Sequence, residues 1–395
     1  MSEESRYTPD MLLAMKSADE RDHIKAMTIE LIKSTVALTK KDIASWRQAW
    51  QMAITQNNPQ RFRLYDIYDD VAVDNHLSGA IDQRKGMVIQ KTFKLVDRNG
   101  NENADVTKMF ETEWFRDFVD LTLDSIYYGY SLIQFGDVVA SGGVRRFSGV
   151  SLVPRRHVMP EYGLLLRNIG DDPQRGVPYT EGAIADWCIG VGSRQNLGLL
   201  HKVSPSAISK KNMLAFWDSF GELFGMPIRI AKTISRDEKE VSKVERMLED
   251  MGAAAWGLFP EGTEIEIKET SRGDAFNVYD RRIERANSEM SKCILTQTMT
   301  IDDGSSHSQS EVHLEVFQNT IQSDADFLKH TVNDRLLPLM AKHGFGVEGC
   351  SFEYENITSM EVEQMLLNNG FDIDIDYFAK KYNIPISGRR QGFFA

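Results

Sequence analysis

The spacing of apolar side chains predicts helices in the first 130 residues. Residues 8–16 begin with Thr-Pro, which suits the start of a short helix. Residues 41–55 predict a second helix, because four apolar side chains recur there every three or four positions: Ile43, Trp46, Trp50 and Ala53. Asp74 can cap a third helix, and the apolar stripe over residues 105–128 predicts one long helix.

Alternation of polar and apolar positions predicts strands among these helices. Residues 88–96 alternate in this way and should form a strand. Between residues 130 and 168, short apolar runs are separated by Gly and Pro, which indicates a small antiparallel sheet. The first part of the chain, to about residue 200, is therefore predicted to be one α+β domain.

The next part of the chain predicts a helix and then a small mixed module. Residues 204–224 begin with Ser-Pro and are followed by Gly-Met-Pro, so both ends of this helix are well marked. A capping box at Ser235 opens a charged helix. Two strands should follow, over residues 254–259 and 263–268, which makes an α-β-β module.

Two further long helices are predicted on either side of a polar segment. Residues 275–295 form an amphipathic helix, and the polar stretch 298–309 contains Asp-Asp-Gly-Ser-Ser, which does not hold a regular element. Residues 310–337 predict a helix of about 40 Å that a proline then bends or ends. A strand over 351–354 and a helix over 359–368 complete the pattern.

Composition and charge narrow the classes of protein that fit. The chain has 395 residues, and its 42% hydrophobic and 26% charged side chains are typical of globular proteins. Lys and Arg number 46 against 58 Asp and Glu, and the resulting charge of −12 opposes tight, sequence-independent binding to phosphates. Three distant cysteines support neither a disulfide framework nor a zinc site. Without a secretion signal or a long apolar run, a soluble intracellular protein is expected.

Motifs for common enzyme chemistries are missing from the sequence. It has no GxxxxGK[ST] motif, so nucleoside triphosphate hydrolysis by a P-loop is not expected. The GxSxG, HExxH and Rossmann glycine patterns are missing as well.

Two acidic clusters and one basic cluster admit a bland and a functional interpretation. The first acidic cluster consists of Asp302, Asp303, His307 and His313. These side chains could bind a divalent metal, but their irregular spacing makes a solvated loop the better interpretation. The second acidic cluster consists of Asp69, Asp70, Asp74 and His76. Helix capping is enough to explain Asp74. The basic cluster could contact phosphates or form ion pairs with interleaved acids, within the helix or between subunits: Arg281, Arg282 and Arg285.

Four parts of the sequence carry a resemblance to a known family. They are 42–50 (DIASWRQAW) with 64–85 (LYDIYDDVAVDNHLSGAIDQRK), 220–227 (FGELFGMP), 250–268 (DMGAAAWGLFPEGTEIEIK) and 295–337. In this order they resemble the portal proteins of tailed bacteriophages, in the Mu-like branch. That family usually has Gly and Leu where this chain has Thr296 and Met299.

The resemblance implies an α+β portal fold that assembles as a cyclic ring, usually of twelve subunits, around a channel. It divides the chain into a wing, long stem helices, an α-β-β clip and a small helical crown. The implied regions are 1–203 for the N-terminal wing region, 204–225 for a stem helix, 226–272 for the clip, 273–297 for a second stem helix, 298–309 for a tunnel loop, 310–354 for a long helix and wing return, and 355–395 for a small crown and C-terminal tail.

The resemblance also implies a function without covalent chemistry, metal or cofactor. The ring would lie at one capsid vertex in the virion, after assembly in the host cytoplasm, and double-stranded DNA would be packaged and ejected through it. Implied partners are further copies of the chain, the terminase large subunit, a head-completion adaptor, and the major capsid and scaffold proteins, with no membrane. The alternative is a metal-dependent enzyme acting on nucleic acid, with Asp302, Asp303 and His307.

The implied site residues fall into two groups. The DNA channel would be lined from the tunnel loop and stem by Arg281, Arg285, Lys292, Gly304, Ser305, Ser306 and His307. Terminase and adaptor would dock at the clip through Glu238, Lys239, Lys243 and Glu261. Because each neutralised phosphate adds affinity, sliding DNA requires few strong cationic contacts. We therefore expect neighbouring acids to offset the channel cations.

Overall fold

A computed structural model describes residues 42–141, 144–224, 228–232, 239, 242, 264–268, 273–297, 307–355 and 360–382. The helices in these ranges are α1 (42–53), α2 (Phe62–Val71), α3 (Asn75–Ile89), α4 (Ala104–Phe110), α5 (Glu113–Tyr128), α6 (Gly182–Ala185), α7 (Gly198–Phe224), α8 (Gly273–Leu295), α9 (His307–Thr331), α10 (Leu337–Lys342), α11 (Met360–Asn368) and α12 (Ile375–Tyr382). Short 3-10 helices cover Arg155–His157 and Pro173–Arg175.

The strands are short and every named pairing is antiparallel. They are β1 (Phe93–Val96), β2 (Tyr130–Phe135), β3 (Val138–Ser141), β4 (Val144–Phe147), β5 (Val150–Leu152), β6 (Val158–Met159), β7 (Leu164–Leu165), β8 (Val177–Pro178), β9 (Cys188–Gly192), β10 (Ile228–Lys232), β11 (Glu264–Lys268) and β12 (Ser351–Tyr354). The pairs include β1 with β12, β2 with β9, β3 with β4 and β10 with β11. The predicted mixture of helices and antiparallel sheet is confirmed.

The chain divides into two compact units. Unit 1 comprises the described residues up to Gly86 with Asp120–Gln134 and Leu152–Gln322. Its interior includes a buried arginine, Arg61, which is 4% exposed and donates to Glu161 Oε1 at 2.7 Å and to the carbonyl of Asn196 at 2.8 Å. The hydroxyl of Tyr68 donates to the carbonyl of Leu197 at 2.7 Å. These bonds fix the segment just before α7.

Unit 2 comprises Met87–Val119, Phe135–Ser151 and the described residues from Ser323 onward. Nine aromatic rings in contact form its core: Phe93, Phe110, Trp114, Phe115, Phe118, Phe135, Phe147, Phe345 and Phe352. The pairing of β1 with β12 places Phe93 opposite Tyr354, so residues far apart in the chain share this core.

Two predictions about the first half are wrong in detail. Residues 88–89 belong to α3, and the strand begins only at Phe93. Ala80, Arg84 and Val88 are all buried and lie four residues apart, as on one face of a helix. Because Arg84 is charged, the sequence did not show this face as a continuous apolar stripe. The expected single helix over 105–128 is also two helices.

The break between α4 and α5 has a local cause. Glu111 has a ψ of 49°, outside the helical range, which ends α4. The hydroxyl of Thr112 donates to the carbonyl of Met109 at 3.1 Å, and the carbonyl of Thr112 accepts from the N–H of Phe115. Thr112 therefore separates two helices although the apolar stripe continues across it.

The helix predicted from Ser204 begins earlier, at Gly198, and contains Pro205 in its interior. Gly198 has a φ of 81°, and a side chain there would collide with the carbonyl of Tyr127. Asn196 Oδ1 accepts the Gly198 N–H at 2.9 Å and closes this start. The Ser-Pro pair resembled a first turn, and this caused the error.

Some of the remaining predicted elements are confirmed, and others lie outside the described residues. Helices α1, α3, α8 and α11 and strands β11 and β12 are confirmed, with boundaries within a few residues. After α9, a π-helical turn over Val332–Leu336 precedes α10, where Pro338 lacks the N–H for a regular helical bond. The predicted helices over 8–16 and 235–252 and the strand over 254–259 lie outside the described ranges, apart from residues 239 and 242. No described helix is both long and apolar enough to cross a bilayer.

Candidate functional site

The predicted channel cations lie on α8, which packs along α7 within unit 1. Five side chains form the buried face of α8: Tyr279, Ile283, Ala286, Met290 and Ile294. Strands β10 and β11 follow α7 and precede α8, and their register places Ile228 opposite Lys268. Along the chain, an antiparallel pair of strands therefore separates the two packed helices.

The first turn of helix α3 is tied to α7. Asp74 precedes α3, and its Oδ1 accepts the N–H groups of His76 and Leu77, each at 3.0 Å. The same carboxylate forms an ion pair of 2.7 Å with Lys210 of α7. One side chain thus caps α3 and neutralises a buried cation.

Helix α3 is tied to α8 at two further points. His76 Nε2 and Ser291 Oγ are 2.8 Å apart. The Arg84 guanidinium donates to the carbonyl of Ile294 at 2.6 Å, in the last turn of α8. Arg84 thereby satisfies a carbonyl that has no partner within its own helix. These two ties hold the C-terminal end of α8, whereas Lys210 lies near the middle of α7.

The cations on the exposed side of α8 are partly neutralised within the helix. Glu289 lies 3.0 Å from Arg285 and 3.3 Å from Lys292, so one carboxylate serves both cations. Arg281 is exposed and forms no ion pair with another described residue. Of the three stem cations proposed from the sequence, two are therefore offset by a neighbouring acid.

The residues after α8 have an unusual backbone and an unpartnered side chain. Thr296 has a φ of 62°, a conformation that favours Gly. Gln297 is 3% exposed, and neither polar atom of its amide has a partner among the described residues. The Thr296 and Thr320 hydroxyls are 3.1 Å apart, which ties this junction to α9.

Several predicted site residues lie outside the described ranges. These are Gly304, Ser305 and Ser306 of the tunnel loop, Glu238, Lys243 and Glu261 of the clip, and Asp302 and Asp303 of the alternative metal site. His307 is the first residue of α9. Lys239 is helical and exposed.

The acidic cluster near α3 is explained by ion pairs. Asp69 lies 3.1 Å from Arg156 and Asp70 lies 2.6 Å from Lys211, while Asp74 caps α3 as predicted. Within the part of the chain that the structure describes, no three His, Cys, Asp or Glu side chains are grouped so that they could hold a metal ion.

A stacked histidine lies near the start of α7. The His201 ring stacks on Trp46 with centroids 5.2 Å apart and contacts Trp50 at 5.0 Å. Burial lowers the pKa of His201, and the adjacent charge of Lys202 lowers it further. The aromatic face of α1, predicted as core, therefore packs on an imidazole.

Sequence reasoning missed the ties between α3 and the helix pair. Lys210 gave one usable signal, because it follows the buried Val203 and Ala207 at helical spacing and is itself 8% exposed. A charge within an apolar stripe predicts a buried partner. His76 and Arg84 offered no comparable pattern, because their partners are a hydroxyl and a carbonyl of a distant helix.

Comparison with known proteins places the chain in a family. Residues 65–384 match the family described as the portal protein of Mu bacteriophage. A Mu-like prophage protein of Haemophilus influenzae, FluMu protein gp29, is 23% identical over 351 residues, covering 82% of this chain and 67% of that protein. A crystal structure of an HK97 family phage portal protein from Corynebacterium diphtheriae aligns with a TM-score of 0.40 and 12% identity, covering 77% of this chain and 97% of that one.

The family match extends over most of the chain and includes α3, α7, α8 and α9, the helices that carry the ties and charges described above. The chain therefore belongs to the family of Mu bacteriophage portal proteins.

Proposed function

We propose that copies of this chain form a ring at one capsid vertex, through which double-stranded DNA is packaged and later ejected. The observation that carries this proposal is the family match over residues 65–384. The chain would act as a structural conduit that performs no covalent step. It would be made in the host cytoplasm and remain in the virion.

The helix pair supports an assignment of the portal regions. Helices α7 and α8 cover most of the two proposed stem helices at 204–225 and 273–297, and β10 and β11 lie in the proposed clip at 226–272. Residues 298–309 are the proposed tunnel loop, and 355–395 the proposed small crown and tail. Residues 1–203 are the proposed N-terminal wing region, and 310–354 the proposed long helix and wing return.

The charges of α8 support a channel that holds DNA weakly. Arg281, Arg285 and Lys292 would face the duplex together with Gly304, Ser305, Ser306 and His307 of the tunnel loop. Because Glu289 pairs with Arg285 and Lys292, fewer cations remain for phosphate contacts. Weak contacts allow DNA to move through the ring in either direction.

The proposed clip would bind the partners that act in succession. The terminase large subunit would dock during packaging, and a head-completion adaptor would replace it afterwards. Glu238, Lys239, Lys243 and Glu261 are the proposed docking residues, of which the structure describes Lys239 as exposed and helical. Major capsid and scaffold proteins would contact the ring at the vertex.

Negative-stain electron microscopy of the purified full chain tests the ring. We expect cone-shaped particles with an axial hole, and sedimentation should show a mass many times 44.9 kDa. Solitary globules at every concentration, with no annular form in virions, would overturn the proposal.

A titration of the isolated ring with duplex DNA tests the weak contact. We expect binding that a moderate increase in salt abolishes, because screening of a few phosphate contacts removes most of the affinity. A tight complex that resists salt would contradict the proposed channel chemistry.

A further inference from the structure

Residues 280–285 of α8 separate their charges around the helix. At about 100° per residue, Arg282 lies about 180° from the midpoint of Asp280 and Glu284, with Arg281 between them on the outward side. All four side chains are exposed, and the buried face of α8 lies between the two edges. We call Asp280 and Glu284 the acidic edge, and Arg282 the basic edge.

This separation differs from the charge pattern in the next two turns. Asp280 and Glu284 are like charges four residues apart, and so are Arg281 and Arg285, an arrangement that disfavours an isolated helix. From Arg285 to Lys292, opposite charges lie three or four residues apart and pair through Glu289. Among the described residues, none forms an ion pair with Asp280, Arg282 or Glu284.

The acidic edge is not covered by the neighbouring helix α3. Ser291 lies on the same side of α8 and contacts His76 of α3. Glu284 precedes Ser291 by seven residues, about 10 Å along the helix, and is exposed. This edge is therefore available to a neighbour where α3 no longer reaches.

We propose that the acidic edge of one copy pairs with the basic edge of the next copy. Two different edges of one helix meet, so the contact is heterologous, and repeating it generates a closed ring when the rotation per copy permits closure. The side-by-side placement of α8 from successive copies would set their register. This inference rests on the proposed ring and assigns residues to its subunit contact.

Charge reversal on each edge provides the test. The variant D280K/E284K makes both edges basic, and the variant R282E makes both acidic. Each alone should associate at least about tenfold more weakly per contact, because like charges then face each other. Mixed in equal amounts, the two variants should form rings again, since each meets an opposite edge. The combined variant D280K/R282E/E284K should form rings by itself.

The controls separate this inference from the proposed function. E102K/D105K makes the same change in net charge as D280K/E284K, at exposed positions outside α8, and should assemble as the unmodified chain does. Circular dichroism would verify that each variant is folded. Rings formed equally well by the single-edge variants, or no rescue on mixing folded variants, would overturn the pairing. Failure of the unmodified chain to form rings would instead overturn the proposed function.

Discussion

Lys210 and Asp74 form an ion pair of 2.7 Å, with 9% and 14% of their side chains exposed. Asp74 Oδ1 also accepts two backbone N–H groups at the start of α3. One carboxylate therefore joins α3 to α7 and caps the N-terminus of α3. Removal of this group affects both functions at once.

Asp74→Ala should destabilise the fold by about 3–5 kcal/mol, because it leaves the Lys210 ammonium buried without a partner and removes the cap. Asp74→Asn should cost less, since the amide oxygen can still accept the capping bonds. Urea unfolding followed by circular dichroism measures both. Asp70→Ala is the matched control, because its ion pair with Lys211 is exposed and should contribute at most about 1 kcal/mol. Equal losses for Asp70→Ala and Asp74→Ala would contradict this account.

Arg84→Met should loosen the last turn of α8. The substitution leaves the carbonyl of Ile294 without its charged donor, and such a bond contributes about 1.5–3 kcal/mol. Hydrogen exchange of a peptide covering residues 290–297 should become faster by a corresponding factor. Lys85→Met is the control, because Lys85 bonds to Asp120 and Asp124 and not to α8. Unchanged exchange in Arg84→Met would show that this tie is unimportant.

The stability of unit 1 should decrease as His201 becomes protonated. Its folded pKa is lowered by burial, so the unfolded state binds the proton more readily, and the stabilisation present above about pH 6.5 is lost as the pH falls. His201→Phe keeps an aromatic ring between Trp46 and Trp50 and should flatten this dependence. Thermal melting between about pH 7.5 and pH 5.5 tests it.

Phe352→Ala should destabilise unit 2 by about 3–5 kcal/mol. The ring is 1% exposed and contacts Phe93, Phe115 and Tyr354, so truncation leaves a cavity in the aromatic core. Phe371→Ala removes a ring that is 61% exposed and should change stability by less than about 0.5 kcal/mol. Denaturant unfolding of the two variants gives the comparison. Similar values for both would show that the core is not packed as described.

Glu289→Gln should increase the affinity of the ring for duplex DNA. The substitution releases Arg285 and Lys292 from their shared carboxylate and leaves their charges for phosphates. Each added phosphate contact should steepen the slope of log K against log salt by about 0.9. Glu111→Gln, an exposed acid outside α8, controls for net charge. An unchanged slope would indicate that these cations do not face the DNA.

Local patterns predicted the helices better than they predicted what the helices contact. The apolar stripe of α8 and the cap of α3 depend on residues a few positions apart, which the sequence displays directly. The pairing of Phe93 with Tyr354 depends on two short strands with ordinary composition, and no local signal links them. Arg84 illustrates the same limit. From sequence alone a charged residue is expected to be exposed, and only the position of its partner shows that it is buried.

The candidate site shows a similar division. The sequence predicted that acids would lie near the cations of α8, because Glu and Arg alternate there. It could not predict that Glu289 pairs with both Arg285 and Lys292, since that depends on side-chain conformation. The contacts that fix α8, through Ser291 and the Ile294 carbonyl, required the three-dimensional arrangement.

The pairing of β1 with β12 also affects how the protein can fold during synthesis. Phe93 emerges from the ribosome long before Phe352, yet the two rings stack at 5.1 Å in the same core. Until more than 250 further residues have been translated, the apolar side chains around β1 lack their final cover. Nascent chains should therefore need protection from aggregation over most of translation, and truncated products should be poorly soluble.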